Sequence, residues 1–264
     1  ELGAPISSLF SRFEDKPVAA ASIAQVHLAV TSDGRDVAVK VLRPDIEETF
    51  RRDLDLAHWL AAFAEQARPS LRRLKPVAVV ENVRAWVALE MDLRMEAAAA
   101  AELEENFAGD PDFRVPAVDW QRTAEHVLTL ERITGMPIDE REALLAAGHD
   151  PDAIVAVAAR VFFQQVFRDG FFHADMHPGN LFVDVQGRIV AIDFGIMGRL
   201  DRATRLIIAE MLLGFLKRDY KRVAEIHFEA GFVPADRSRE LFTQAIRSIG
   251  EPILGKPLAE ISLA

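Results

Sequence analysis

Two apolar alternations flank a turn near the start of the chain: Val26 to Val30, then Asp33-Gly34, then Asp36 to Leu42. Period-two patterning on both sides of an Asp-Gly pair predicts a β-hairpin, and its second strand carries Val37-Ala38-Val39-Lys40. The period then lengthens. Behind Asp45, read as an N-cap, Ile46, Phe50, Leu54, Ala57, Leu60 and Ala64 recur along one side of a helix to about Ala67. A second long helix is expected from near Pro76 towards Phe107. Pro111 and Pro116 mark a loop, His126 to Glu131 alternate as a strand, and Gly135 and Pro137 follow. Asp150-Pro151 opens a helix to about Asp169 whose Phe162, Phe163, Val166 and Phe167 are expected in the core. A second hairpin runs Leu181 to Asp184, turns at Gln186-Gly187, and returns along Ile189 to Ile192. Helices at about 201–217, 219–230 and 236–250 complete an α+β pattern.

Composition narrows the class. With 264 residues, half of them apolar, the chain can bury a large core as one two-lobed domain or two small ones. The absence of cysteine excludes disulfides and thiolate metal sites. A net charge of −10 argues against broad nucleic-acid binding. The densest basic cluster is Arg68, Arg72, Arg73 and Lys75, beside Pro69 and Pro76; it reads as a solvated loop or as a contact with an anionic membrane. No uncharged apolar run is long enough to span a bilayer, since Glu210 interrupts Leu206 to Leu216. The chain begins at Glu1 and stops at Ala264 in an apolar stretch, so it is expected to be a soluble piece of a longer parent.

The chemistry concentrates in His173-Ala174-Asp175-Met176-His177-Pro178-Gly179-Asn180 and, thirteen residues after Asn180, Asp193-Phe194-Gly195. An Asp followed by an Asn, a hairpin and Asp-Phe-Gly is the arrangement that phosphoryl transfer needs. Asp175 would orient a nucleophile or accept its proton, while Asn180 and Asp193 would hold Mg²⁺ against nucleotide phosphates. A rival reading makes His173, Asp175 and His177 metal ligands of a hydrolase; no second His cluster supports it, and His173 is better read as fixing the loop. Lys40, on its apolar strand, suits neutralisation of the α and β phosphates.

Counting back from Val26 gives Ala19-x-Ala21-x-x-Ala24-x-Val26 where the phosphate loop of kinases reads G-x-G-x-x-G-x-V. Alanine penalises positive φ, keeps the backbone farther from a phosphate and favours helix, so a stiffer loop or an Ala-rich helix start after Pro17 is expected. A carboxylate should face Lys40. Glu90 and Glu96 are candidates that point in different directions on one continuous helix, and the spacing does not choose between them. The backbone from Glu131 to Ile133 is expected to face an adenine edge. Only six positions separate Gly195 from Asp201, the expected cap of the next helix, so the long activation segment of ordinary protein kinases has no room. A small molecule, a lipid or water then suits the acceptor better than a docked protein.

Taken together, these residues resemble the UbiB/AarF family of atypical kinase-like proteins, most closely its bacterial ubiquinone-biosynthesis branch. The resemblance rests on Pro17 to His27, Val37 to Lys40, Glu90-x-Asp92, Phe171 to Phe182, Ile192 to Gly195, Arg218-Asp219-Tyr220, Glu251-Pro252-Ile253 and Lys256 to Ser262. It implies a protein-kinase-like two-lobed fold, with residues 1–134 as the small nucleotide-binding lobe and 135–264 as the large lobe carrying the catalytic loop. It implies ATP or ADP with Mg²⁺ as cofactors and ATPase-type activity supporting coenzyme Q production. The implied partners are a lipid or quinone precursor, other ubiquinone-biosynthesis proteins and a membrane, at the cytoplasmic face of the inner membrane in the full-length parent.

Residue by residue, the resemblance makes Lys40 a phosphate contact paired with Glu96, Glu90 and Asp92 an extra acidic motif, Asp175 the catalytic aspartate, and Asn180 and Asp193 metal ligands. Ala19, Ala20, Ala21, Ser22, Ala24 and Val26 form the nucleotide-covering loop. The family's upstream lysine-x-glycine-glutamine element and its C-terminal hydrophobic segments are not in this sequence. The main alternative to an ATP-dependent enzyme is a nucleotide-gated lipid-binding or scaffold module. A third reading, an antibiotic phosphotransferase of the same superfold, usually lacks the full Asp-Phe-Gly.

Overall fold

The computed structural model describes residues 1–20 and 23–254. Ala21 and Ser22 of the alanine loop, and the Lys256 to Ser262 motif, lie outside the described residues. The chain forms two compact units, residues 1–161 with 173–197, and residues 162–172 with those from 198 onward. In chain order the elements are α1 (Ile6–Leu9), β1 (Phe10–Phe13), β2 (Ala19–Ala20), β3 (Ala24–Thr31), β4 (Asp36–Leu42), α2 (Ile46–Ala67), α3 (Pro76–Glu90), α4 (Leu93–Asn106) and β5 (Phe113–Arg114). There follow β6 (Val127–Glu131), β7 (Gly135–Pro137), α5 (Arg141–Ala146), α6 (Pro151–Phe163), β8 (Phe171–His173), β9 (Leu181–Asp184), β10 (Ile189–Ala191), β11 (Met197–Arg199), α7 (Arg202–Leu216), α8 (Tyr220–Glu229) and α9 (Arg239–Gly250).

In the first unit, a sheet ordered β1-β3-β4-β6 has β2 added on β3. The alternation read in the sequence sorts its two faces. Val37 and Val39 turn to one side and bury with Phe10 and Ala29, while Phe13, Val41 and Val127 pack around them. Ala38, Lys40 and Leu42 turn to the other side. Lys40 lies directly between Val26 on β3 and Leu128 on β6, so the three share that second face. Buried Arg122 fastens the far end, bonding Asp119, Ser32 and the carbonyl of Leu9. A second sheet, β5-β10-β9-β7, contains the catalytic-region hairpin. Its turn needs Gly187, at φ +83°, and its partner strand needs Gly135, where a Cβ would meet the Val183 carbonyl at 2.6 Å.

Four expectations are corrected. The helix expected from Pro76 to Phe107 is two helices, because the backbone turns extended at Asp92, which caps α4 by accepting the Arg94 N–H at 3.0 Å. Asp45 does not cap α2 with its side chain; it sits at φ 60°, and only its carbonyl is used. The alanine loop does not start a helix: Val18 N–H bonds the Val26 carbonyl at 2.9 Å, and Ala19 and Ala20 pair with Val26 and Gln25 as strand. Sheet pairing overrides the helical preference of alanine here. Finally, Phe163 is not core but largely exposed, stacked on Phe167.

The second unit holds α7, α8 and α9. Asp201, Asp219 and Ser238 cap α7, α8 and α9 by accepting N–H groups of Thr204, Arg222 and Leu241. Tyr220, Val223, Ala224 and Ile246 form its buried cluster, flanked by Phe215 and Phe242.

Candidate active site

Glu96 stands in the first turn of α4, and the cap at Asp92 sets where that turn begins. Its carboxylate takes the Lys40 ammonium at 2.8 and 2.9 Å, and one of its oxygens accepts the Phe194 N–H at 3.3 Å. Lys40 also lies 3.5 Å from Asp193 Oδ1. Glu96 is buried and Lys40 nearly so, hence the pair survives only because each charge is compensated. Burial works against the Lys40 charge, but Glu96 and then Asp193 outweigh it and hold the ammonium above its ordinary range. Burial pushes the Glu96 carboxyl up, with Lys40 opposing.

The second half of the site is built by β8, the loop after it, and the β9–β10 hairpin. Asp175 N–H donates to His173 Nδ1 at 3.1 Å, and the same buried ring hydrogen-bonds the Asp193 backbone. His173 therefore fixes the loop, as its sequence context suggested, and burial holds it below the usual histidine range. Asn180 donates its amide Nδ2 to the Asp175 carbonyl at 3.2 Å and to Asp175 Oδ2 at 3.0 Å. The Ile192 N–H bonds the Asn180 carbonyl at 3.0 Å, which places Asn180 one residue from Asp193 across the hairpin. Asp193 Oδ1 accepts the Gly195 N–H at 3.0 Å. Burial alone would raise the Asp193 carboxyl; Lys40 and the Gly195 N–H hold it low and ionised.

The donor set fits Mg²⁺. With Nδ2 turned to Asp175, the Asn180 side chain offers its oxygen, and Asp193 offers a carboxylate. Mg²⁺ commonly takes one or two protein oxygens and completes its shell with water and phosphate. In the hydrolase reading His173, Asp175 and His177 would be ligands, but His173 Nδ1 accepts the Asp175 N–H. His177 Nδ1 instead accepts the Gly179 N–H.

The remaining candidates divide. Glu90, half-buried at the end of α3, has its carboxyl pushed up by burial and by Asp193, with Lys40 opposing, so it belongs to the same electrostatic cluster. Asp92 serves as the α4 cap and pairs with Arg94 at 2.7 Å. Val26 shares the Lys40 face, Ala24 is fully buried at the root of β3, and Ala19 and Ala20 are exposed on β2. Glu131 directs its carboxylate to Arg114 at 3.0 and 3.1 Å, its N–H donates to Ala117, and the Arg132 N–H donates to Asp36. Sequence reading missed Arg114, because nothing local to residue 114 signals a partner seventeen positions away. It also missed the Phe194 N–H as a donor to Glu96.

A strand lysine held by a helix glutamate, with an Asp-Phe-Gly segment against both, defines a protein-kinase-like fold, and that is the class here. The sequence matches the ABC1 atypical kinase-like domain over residues 1–227, and the chain belongs to that family. A Marinobacter nauticus protein named Probable protein kinase UbiB is 45% identical over 265 residues, 99% of this chain and 48% of that protein. A protein of the same name from Xanthomonas euvesicatoria pv. vesicatoria is 44% identical over 274 residues, 100% and 49% of the two chains. Among solved structures, that of the Rv3197–erythromycin complex from Mycobacterium tuberculosis is 30% identical with a TM-score of 0.77, covering 96% of this chain and 63% of that one. The chain spans about half the length of the curated relatives it matches.

Proposed function

We propose that this chain is the ATP- and Mg²⁺-binding core of an atypical kinase or ATPase that acts in ubiquinone biosynthesis, on or near a lipid-like precursor. The observation that supports this most is the meeting of Glu96 and Asp193 on the Lys40 ammonium, at 2.8 and 3.5 Å. Lys40 neutralises nucleotide phosphates while Glu96 fixes its direction. Asn180 and Asp193 would hold Mg²⁺, which supplies neutralisation of phosphate charge when bound. Asp175, oriented by Asn180 and by the His173 contact to its N–H, receives the proton of the attacking hydroxyl or water. The adenine edge meets the chain at 131–133. There the N–H groups of Glu131 and Arg132 are already donated within the protein, so carbonyl oxygens and the Ile133 N–H serve the base.

The division into a small lobe, 1–134, and a large lobe, 135–264, belongs to this reading, as does action at the cytoplasmic face of the inner membrane in the longer parent. Among the described residues no helix is long and apolar enough to cross a membrane. The test is a quinone profile of cells carrying Asp193→Asn in the full-length parent, alongside phosphate release from the purified variant. Loss of both supports the enzyme. Intact quinone synthesis without hydrolysis would instead assign a nucleotide-gated lipid-binding or scaffold role.

A further inference from the structure

A single guanidinium joins the two ends of the 131–133 segment. Arg114 lies on β5, opposite Val190 of β10, the strand that leads on to Asp193. Its Nη1 and Nη2 donate to the two Glu131 carboxylate oxygens at 3.1 and 3.0 Å, a bidentate grip where the segment begins. Its buried Nε lies 3.8 Å from Asp184 Oδ2 and makes no hydrogen bond among the described residues. Asp184 in turn pairs across the sheet with Gly135, where the chain passes from the segment into β7. Both ends therefore converge on one side chain, and all of these residues belong to the first unit.

The backbone in between is held as well. The Glu131 N–H donates to the Ala117 carbonyl at 2.8 Å, the Glu131 carboxylate accepts the Ala117 N–H at 3.4 Å, and the Arg132 N–H donates to the Asp36 carbonyl at 3.1 Å. Glu131 can follow a ligand only by giving up these bonds and the Arg114 grip together. The Arg114–Glu131 pair is partly open to solvent, so its share in global stability is small. Asp184 keeps Arg188 at 2.8 Å when Arg114 is removed, so no buried charge is stranded. What Arg114 fixes is local: the course of the backbone from 131 to 133.

We infer that Arg114 is the positioning residue for the base, holding 131–133 in the form that admits adenine in preference to guanine. Adenine carries an amino donor where guanine carries an oxygen, so a fixed backbone carbonyl accepts from the first and repels the second. The inference rests on the nucleotide reading above. The test titrates ATP, GTP and inorganic tripolyphosphate, each with Mg²⁺, into the full-length parent, Arg114→Gln, Arg114→Lys and Glu131→Gln. Arg114→Gln is expected to bind ATP about tenfold more weakly, the worth of one hydrogen bond to the base, and to narrow the preference for ATP over GTP. Tripolyphosphate has no base, so its affinity should match the parent's, with the urea midpoint little changed. Arg114→Lys should recover only part of the loss, since an ammonium cannot reproduce the planar fork. Glu131→Gln should mimic Arg114→Gln, and the double variant should be no worse than either. An Arg114→Gln protein with the parent's affinities, or one weakened equally for ATP, GTP and tripolyphosphate, would overturn the inference and leave the nucleotide reading standing. A parent that binds none of the three ligands would overturn both.

Discussion

Lys40 and Glu96 form a pair whose members are costly to separate. Glu96→Gln leaves a nearly buried ammonium with Asp193 as its nearest carboxylate, and a loss of about 3 kcal/mol in urea unfolding is expected. Lys40→Met should cost a similar amount, and the double variant less than the sum of the two, since each single change strands a charge. Glu90 behaves oppositely. Burial and Asp193 disfavour its ionised form, so Glu90→Gln should raise the urea midpoint at neutral pH; a lowered midpoint would show a favourable role for the charge. The choice between these two glutamates was not legible in the sequence. Angular counting from residue 90 to 96 requires a continuous helix, and the extended backbone at Asp92 breaks it. Asp92, an N-cap residue type directly before the Ala-rich helix, is the signal the sequence offers, beside its place in the acidic motif.

At the scale of elements, the β9–β10 hairpin holds Asn180 and Asp193 in register, and Asp184 holds its turn. That carboxylate accepts the N–H groups of Gln186 and Arg188 at 2.9 and 3.0 Å and the Arg188 guanidinium at 2.8 Å. Burial would raise its carboxyl, but these hydrogen bonds hold it below the ordinary 3.8. The folded state thus takes up this proton at lower pH than the unfolded chain. The stabilisation is complete above pH 3.8 and fades as pH falls through the depressed folded value. Asp184→Asn should cost about 2 kcal/mol at pH 7, with the gap to the parent closing in acid denaturation below pH 4. The hairpin itself was legible, because strict alternation around Gln-Gly leaves few other structures. The alanine loop was legible in position but not in form, since helix propensity says nothing about the strand edge waiting beside it. Ala19→Gly loosens that edge and should shift the ratio of ATP to ADP affinity, measured by calorimetry; an unchanged ratio would remove the alanine from nucleotide selection.

At the scale of the whole chain, the kinase-like class was legible because its chemistry is written in short, ordered motifs: the lysine strand, the Asp-to-Asn loop, and Asp-Phe-Gly. The five residues between Gly195 and the Asp201 cap are filled by β11 and its flanks, which leaves no peptide platform in this stretch. The central claim is that Lys40 and Glu96 act with Asp175, Asn180 and Asp193 on one magnesium-loaded nucleotide. It is tested most directly by calorimetric titration of ATP into the full-length protein with and without Mg²⁺, for the parent, Lys40→Met and Asp193→Asn. The account predicts Mg²⁺-dependent binding in the parent, weakened at least tenfold by Lys40→Met and stripped of its Mg²⁺ dependence by Asp193→Asn, each step worth about 1.4 kcal/mol or more. Equal, Mg²⁺-dependent affinity in all three proteins would contradict it.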